Sequence, residues 1–170
     1  MRKVSIFDAP KDCILTFSGI YINVFKPTPE MINIKDIAHA LSRAPRFGGH
    51  LNRPYSVAQH SVMCARKAKT KKTKREALLH DASEAYLCDL PSPIKAKIPQ
   101  YKKIETKLMS VIFKKYNLSF PLTNTIHKID RKELIYEWNN FKISDNKKIE
   151  CWSRAKAKRE FLNTYNELFT

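Results

Sequence analysis

The chain has 170 residues, 43% hydrophobic and 28% charged, a length and balance that suit one domain with a substantial buried core. No apolar run is long enough to span a bilayer, and Met1-Arg2-Lys3 is not followed by a signal-peptide core, so a cytoplasmic protein outside the membrane is expected. The formal net charge of +16 admits phosphorylated small molecules, nucleic acid and acidic membranes as partners, yet a Lys-rich surface also follows from an AT-rich coding sequence, so charge alone selects no function.

Taken in chain order, the first pattern is a short β-hairpin over 13–26, where β-branched and aromatic residues flank Ser18-Gly19. From 33 to 168 the pattern is helical. Asn33 caps a helix with Ile34, Ile37, Ala38 and Leu41 on one face, closed by Pro45. A loop runs from Arg46 to Pro54. Ser56-Val-Ala-Gln59 has the form of a capping box and starts a helix to about Thr70, and Thr73-Lys-Arg-Glu76 repeats the device before Leu78-Leu79-His80-Asp81. Asp89-Leu90-Pro91-Ser92-Pro93 interrupts as a rigid loop. Further helices are predicted at about 101–117, 123–141 and 154–168, giving an all-α bundle with one small hairpin and a single domain over 1–170. The four cysteines, Cys13, Cys64, Cys88 and Cys151, are scattered without a CxxC pair, which argues against a disulfide framework or a thiolate zinc site and for reduced thiols.

Three helices carry polar groups on apolar faces. On the helix after Ser56, the face Val57, His60, Cys64, Ala68 contains a histidine, which alone commonly has a structural role. On the next, His80 and Asp81 are adjacent, with Glu84 one turn beyond His80 in apolar surroundings. On the helix after Thr123, the row Ile126, Asp130, Leu134, Trp138 has a spacing of four, so Asp130 interrupts a core-facing row and needs a cation, from an Arg, a Lys or a metal. Together His60, His80, Asp81 and Asp130 supply two imidazoles and two carboxylates, a nitrogen and oxygen donor set suited to one divalent transition metal: Zn, Co, Mn, Ni or Fe(II).

These residues resemble the H…HD…D pattern of the HD superfamily of metal-dependent phosphohydrolases, here His60, His80-Asp81 and Asp130. The stretch Leu79-His80-Asp81-Ala82-Ser83-Glu84-Ala85-Tyr86 with Asp89-Leu90-Pro91-Ser92-Pro93-Ile94-Lys95 is similar to the bacterial 5′-deoxynucleotidases. The segment from Asp36 through Arg46-Phe47-Gly48-Gly49-His50 to Gln59-His60-Ser61 resembles phage HD proteins, among them dATP triphosphohydrolases of phages that replace adenine with 2-aminoadenine. The likeness covers about residues 15 to 140.

The resemblance implies an HD-type helical bundle and hydrolysis of deoxynucleotide phosphates. The expected activity is that of a dNTP triphosphohydrolase releasing deoxynucleoside and triphosphate, with a 5′-deoxynucleotidase acting on dNMPs as the alternative. His60, His80, Asp81 and Asp130 would hold the ion. Glu84 would orient or deprotonate the attacking water, and Asp89 would act as a second acid/base or positioning carboxylate. Arg46 would clamp phosphate, Lys95 would add a second contact, and Phe47 would stack on base or sugar. His50, Gly49 and Pro93 complete the implied substrate-binding set, with an additional Mg for a triphosphate. His39 and His127 are peripheral, His127 being the alternative ligand to His60. Relatives of this kind are often dimers or hexamers, so a homo-oligomer is expected. A more distant reading is a nucleic-acid binder using Lys67, Lys69, Lys71, Lys72, Lys74 and Arg75, although charge runs are usually solvated faces.

Overall fold

The computed structural model describes residues 9–142 and 149–170. The N-terminal Met1-Arg2-Lys3 and part of the helical region expected over 33–168 fall outside these. Two antiparallel strands, β1 (Cys13–Leu15) and β2 (Tyr21–Asn23), pair with Ile14 opposite Ile22. Gly19 has φ +84°, the left-handed backbone that the connecting turn requires. Ser18 then ties the turn to the helical body: its backbone N–H and its hydroxyl each donate to the Asp36 carboxylate at 2.7 Å.

The body comprises α1 (Ile34–Leu41), α2 (Val57–Lys67), α3 (Lys71–Leu79), α4 (Glu84–Leu87), α5 (Ser92–Lys95), α6 (Pro99–Lys115), α7 (Asn124–Lys142) and α8 (Arg154–Phe169). Asn33 caps α1, its side chain accepting from the Lys35 N–H. Ser56 caps α2 by accepting from the Gln59 N–H, but Gln59 does not complete the capping box. Its amide donates to the Glu150 carbonyl at 2.6 Å and accepts from the Trp152 N–H at 2.9 Å, so this buried side chain fastens α2 to the segment before α8.

The start of α3 differs from expectation. Thr70 is the cap, and Thr70 and Thr73 form the reciprocal box, so the helix begins three residues earlier than the Thr73-x-x-Glu76 pattern suggests. It also ends earlier. Leu79 is its last residue, His80 caps its C-terminus, and Asp81 lies in the turn before α4.

Helix α2 is the centre of the packing, with α3, α8 and α7 against it, while α1 packs on α4 and α8. Leu41, Leu78, Leu79, Leu108, Ile112, Phe113 and Phe161 are all fully buried in the shared core. All four cysteines are free thiols. None of the helices among the described residues is long and apolar enough to cross a membrane. Replacing Phe161 by Ala empties a fully enclosed site, and is expected to cost about 3–5 kcal/mol of unfolding free energy in urea titrations. A loss below about 1 kcal/mol would show that α8 is not packed into the core as described.

Candidate metal centre and the cavity beside it

The first donor comes from α2. His60 is fully buried, and its Nδ1 lies 2.6 Å from Glu137 Oε1 on α7. A carboxylate accepts, so Nδ1 carries the proton and Nε2 presents a lone pair. His80 is held in the same way. Its Nδ1 donates to the Ala77 carbonyl at 2.8 Å, leaving Nε2 buried and without a hydrogen-bond partner.

Both lone pairs face the carboxylates of Asp81 and Asp130. His60 Nε2 is 3.7 Å from Asp81 Oδ2 and 3.2 Å from Asp130 Oδ1, and His80 Nε2 is 3.2 Å and 3.7 Å from the same two oxygens. Donors about 2.1 Å from a common ion stand roughly 3.0–3.4 Å apart in octahedral or tetrahedral shells, so these separations suit a single bound cation. With Nδ1 protonated on each neutral ring, the four facing atoms offer no proton to one another, and acceptors in such proximity require a cation. The residues present therefore fit a divalent metal. Glu137 on His60 and the Ala77 carbonyl on His80 fix each ring's tautomer for that purpose.

Cys64 adds a second possible donor. Its Sγ is 3.5 Å from His60 Nε2, and ligand atoms of His60, Cys64 and His80 all lie within 4.8 Å of one another. Spaced four residues from His60, it shares that residue's helix face. Asp81 and Asp130 line the neighbouring cavity, whereas Cys64 is buried and forms no part of its wall. The two histidines with the two aspartates thus make an open set that a water or substrate can reach, and the set with Cys64 makes a closed one.

The cavity has a volume of about 620 Å³. Arg46, Asp81, Glu84, Lys95, Asp130 and Arg131 form its charged wall, and Phe47, Pro91, Pro93, Leu134, Ile135 and Trp138 its apolar one. Arg46 is no solvated loop charge: it is buried, with Nη2 at 3.3 Å from Glu137 and Nη1 at 3.8 Å and 4.0 Å from Asp89 and Asp81. Asp89 reaches the centre through Arg46 and is not part of the cavity wall. Cys88 before it has φ +66° and ψ +156°, a combination nearly restricted to glycine, which sets the direction of the chain entering Asp89. Lys95 is held 2.8 Å from Glu105 and 3.6 Å from Glu84. Gly49 and His50 lie outside the cavity wall on an exposed loop that follows left-handed Phe47 and Gly48. His39 stacks on Phe17 away from the centre, and His127 is exposed.

The α7 row requires correction. Trp138 is 47% exposed, and the buried positions are Ile126, Glu133 and Glu137. A spacing of four advances about 40° per step, so by Trp138 the row has turned roughly 120° away from Ile126, while steps of seven and eleven return close to it. Asp130 falls between the two faces, its side chain 38% exposed, at the boundary of core and cavity. Glu137, two turns after Asp130, went unrecognised in the sequence, where nothing marks its histidine partner 77 residues earlier.

Electrostatics agree with a site built for a cation. Burial and Arg46 oppose charging of His60, but hydrogen bonding to Asp130, Cys64 and Glu137 holds its pKa well above that of a free imidazole. Burial likewise opposes charging of His80, and Asp81 and Asp130 raise it. Asp81 and Asp130, which burial would raise, are held far below the usual carboxylate range by the same two rings. Burial first, and then the charges of Asp81 and Asp89, raise Glu84 well above an ordinary carboxyl.

In the metal-free protein a proton therefore serves as the cation. The raised imidazoles stabilise the fold below pH 6.5, and that contribution fades as pH climbs through their folded pKa values. Metal binding must displace those protons. The rise in melting temperature on adding Mn²⁺ or Co²⁺ should consequently grow from pH 6 to pH 8, and a shift that is flat or falls with pH would contradict the assignment. In metal-content measurements, Asp130→Ala should lose the ion while Cys64→Ser keeps it, and the reverse result would favour the closed set with Cys64.

No family model matches the chain. It is 40% identical over 132 residues to the uncharacterized protein YfdR of Escherichia coli, a match spanning 78% of this chain and 74% of that protein. It is also 34% identical over 110 residues to an uncharacterized protein of Rhodobacter capsulatus, across 59% of this chain and 56% of that one. At this identity and coverage, the chain belongs to the same family as Escherichia coli YfdR.

Proposed function

We propose that this chain is an HD-type, metal-dependent phosphohydrolase acting on deoxynucleotides, with a dNTP triphosphohydrolase that releases deoxynucleoside and triphosphate as the leading form. The observation that carries the reading is the meeting of His60, His80, Asp81 and Asp130, with both imidazole lone pairs turned toward the two carboxylates and those carboxylates lining a cavity. A divalent ion held there supplies a Lewis acid for a phosphoryl oxygen and lowers the pKa of a bound water.

The chain's own groups do the remainder. Arg46 faces the cavity with a buried Nε that has no partner, and its planar guanidinium can exchange a carboxylate contact for two phosphate oxygens. Glu84 Oε2 is also buried without a partner. Its raised proton affinity suits it to take the proton of the attacking water. Lys95, 3.6 Å from Glu84, limits that rise and adds positive charge beside the phosphate. Asp89, behind Arg46, fits a positioning role better than direct proton transfer.

One observation favours the 5′-deoxynucleotidase alternative. Three basic and three acidic side chains line the cavity, so with a divalent ion the balance matches a phosphate dianion, while a triphosphate calls for a further Mg²⁺. The nucleic-acid reading loses support from its own residues. Lys67 is paired with Glu133, Lys72 lies 4.0 Å from Glu76, and Arg75 donates to the Leu168 carbonyl. Half of that run is engaged within the fold.

Metal-loaded protein offered dNTPs, dNMPs and ribonucleotides, with products separated by ion exchange, is expected to yield deoxynucleoside and triphosphate. Orthophosphate from dNMPs would establish the nucleotidase instead. Absence of turnover by protein that holds its metal would overturn the substrate class. Glu84→Ala should retain the ion and lower kcat by about 10²–10⁴, and loss of the ion would make Glu84 a structural group.

A further inference from the structure

Helix α7 carries more of the cavity than its one candidate ligand. Beyond Asp130, the cavity-lining residues Leu134, Ile135, Trp138 and Asn139 continue along its surface. Ile135 and Trp138 remain 48% and 47% exposed, and an exposed indole on a concave wall is a feature of ligand sites more than of ordinary surface. The Trp138 ring lies 5.8 Å from that of Phe47 at a tilt of 41°, and the Arg46 guanidinium lies 5.5 Å from the centroid of the Phe47 ring. Charged donors, Arg46, Phe47 and Trp138 thus follow one another in contact order.

We infer that Trp138 is the platform for the nucleobase, with Phe47 against the sugar and the Asn139 amide beside the base edge. This inference rests on the nucleotide reading above and adds to it a specificity-determining surface. Eight residues of helix separate Asp130 from Trp138, about 12 Å along the axis. That leaves a span of nucleoside size between the donor cluster and the ring. A flat apolar ring stacks on any base, and the neighbouring amide offers both a donor and an acceptor to a base edge. Pro91 and Pro93 supply apolar surface to the same cavity. The order of groups assigns Phe47, next to Arg46, to the sugar.

Two readouts separate this inference from the activity on which it rests. The chain has two tryptophans, so two indole N–H signals appear in a ¹⁵N correlation spectrum, and Trp138→Phe identifies one of them. Titrating the wild type with deoxyadenosine, which has no phosphate to hydrolyse, should move the Trp138 signal and leave the buried Trp152 in place, whereas inorganic triphosphate alone should not move it by stacking. In turnover assays, Trp138→Ala should raise KM by about 10-fold or more with kcat little changed, and Trp138→Phe should recover most of the loss. Asn139→Ala should alter the ratio of kcat/KM between bases. An unmoved Trp138 signal in protein that turns over nucleotides, or an unchanged KM in Trp138→Ala, would overturn the inference and leave the phosphohydrolase standing. A moving signal in protein that hydrolyses no nucleotide would keep the base platform and overturn the hydrolysis.

Discussion

Two histidines with their Nδ1 protons already committed, one to Glu137 and one to the Ala77 carbonyl, turn their remaining nitrogens toward two aspartates in a largely buried space. Acceptors packed at 3.2–3.7 Å repel unless something positive lies among them. The surrounding structure is arranged around that requirement. Helices α2 and α7 bring His60 and Asp130 together, the end of α3 supplies His80, and the turn after it supplies Asp81. Arg46 lies beside Glu137, Asp81 and Asp89, and its charge helps two further carboxylates, Glu137 and Asp89, remain largely buried next to the cluster.

The placement of the donors at helix ends and helix boundaries has a chemical consequence. A fully inward α7 row would have sealed Asp130 from water. Setting Asp130 at the edge between core and cavity keeps one side of the cluster open. Cys64, at the back of the same cluster, is the group that would close it. The choice between an open and a closed site separates a catalytic centre from a structural one.

Much of this was legible before the fold was known, because apolar periodicity and caps are local. The hairpin and the helices following Asn33 and Ser56 rest on such signals. The polar residues brought to the centre were visible as interruptions of apolar faces. What escaped was non-local or depended on phase. The Thr70 cap competed with an equally good pattern at Thr73, and only packing decides between them. The row of four on α7 drifted out of the core by Trp138, and Gln59 found backbone partners about 90 residues away instead of its own helix end. Glu137 and the burial of Arg46 are tertiary facts without a local trace. Gly49 and His50, placed in the substrate-binding set by the resemblance, stand outside the cavity lining, after the left-handed backbone at Phe47 and Gly48.

The claim at the centre of the account is that one divalent ion sits between His60, His80, Asp81 and Asp130. The most direct measurement is anomalous diffraction above and below the absorption edge of the metal that co-purifies with the protein or is added as Mn²⁺ or Co²⁺. The account predicts a single anomalous peak bonded to both Nε2 atoms and to a carboxylate oxygen of each aspartate, at about 2.0–2.2 Å. A peak on Cys64 with the aspartates unligated, or a site that stays empty at saturating metal while the four side chains keep their positions, would contradict it.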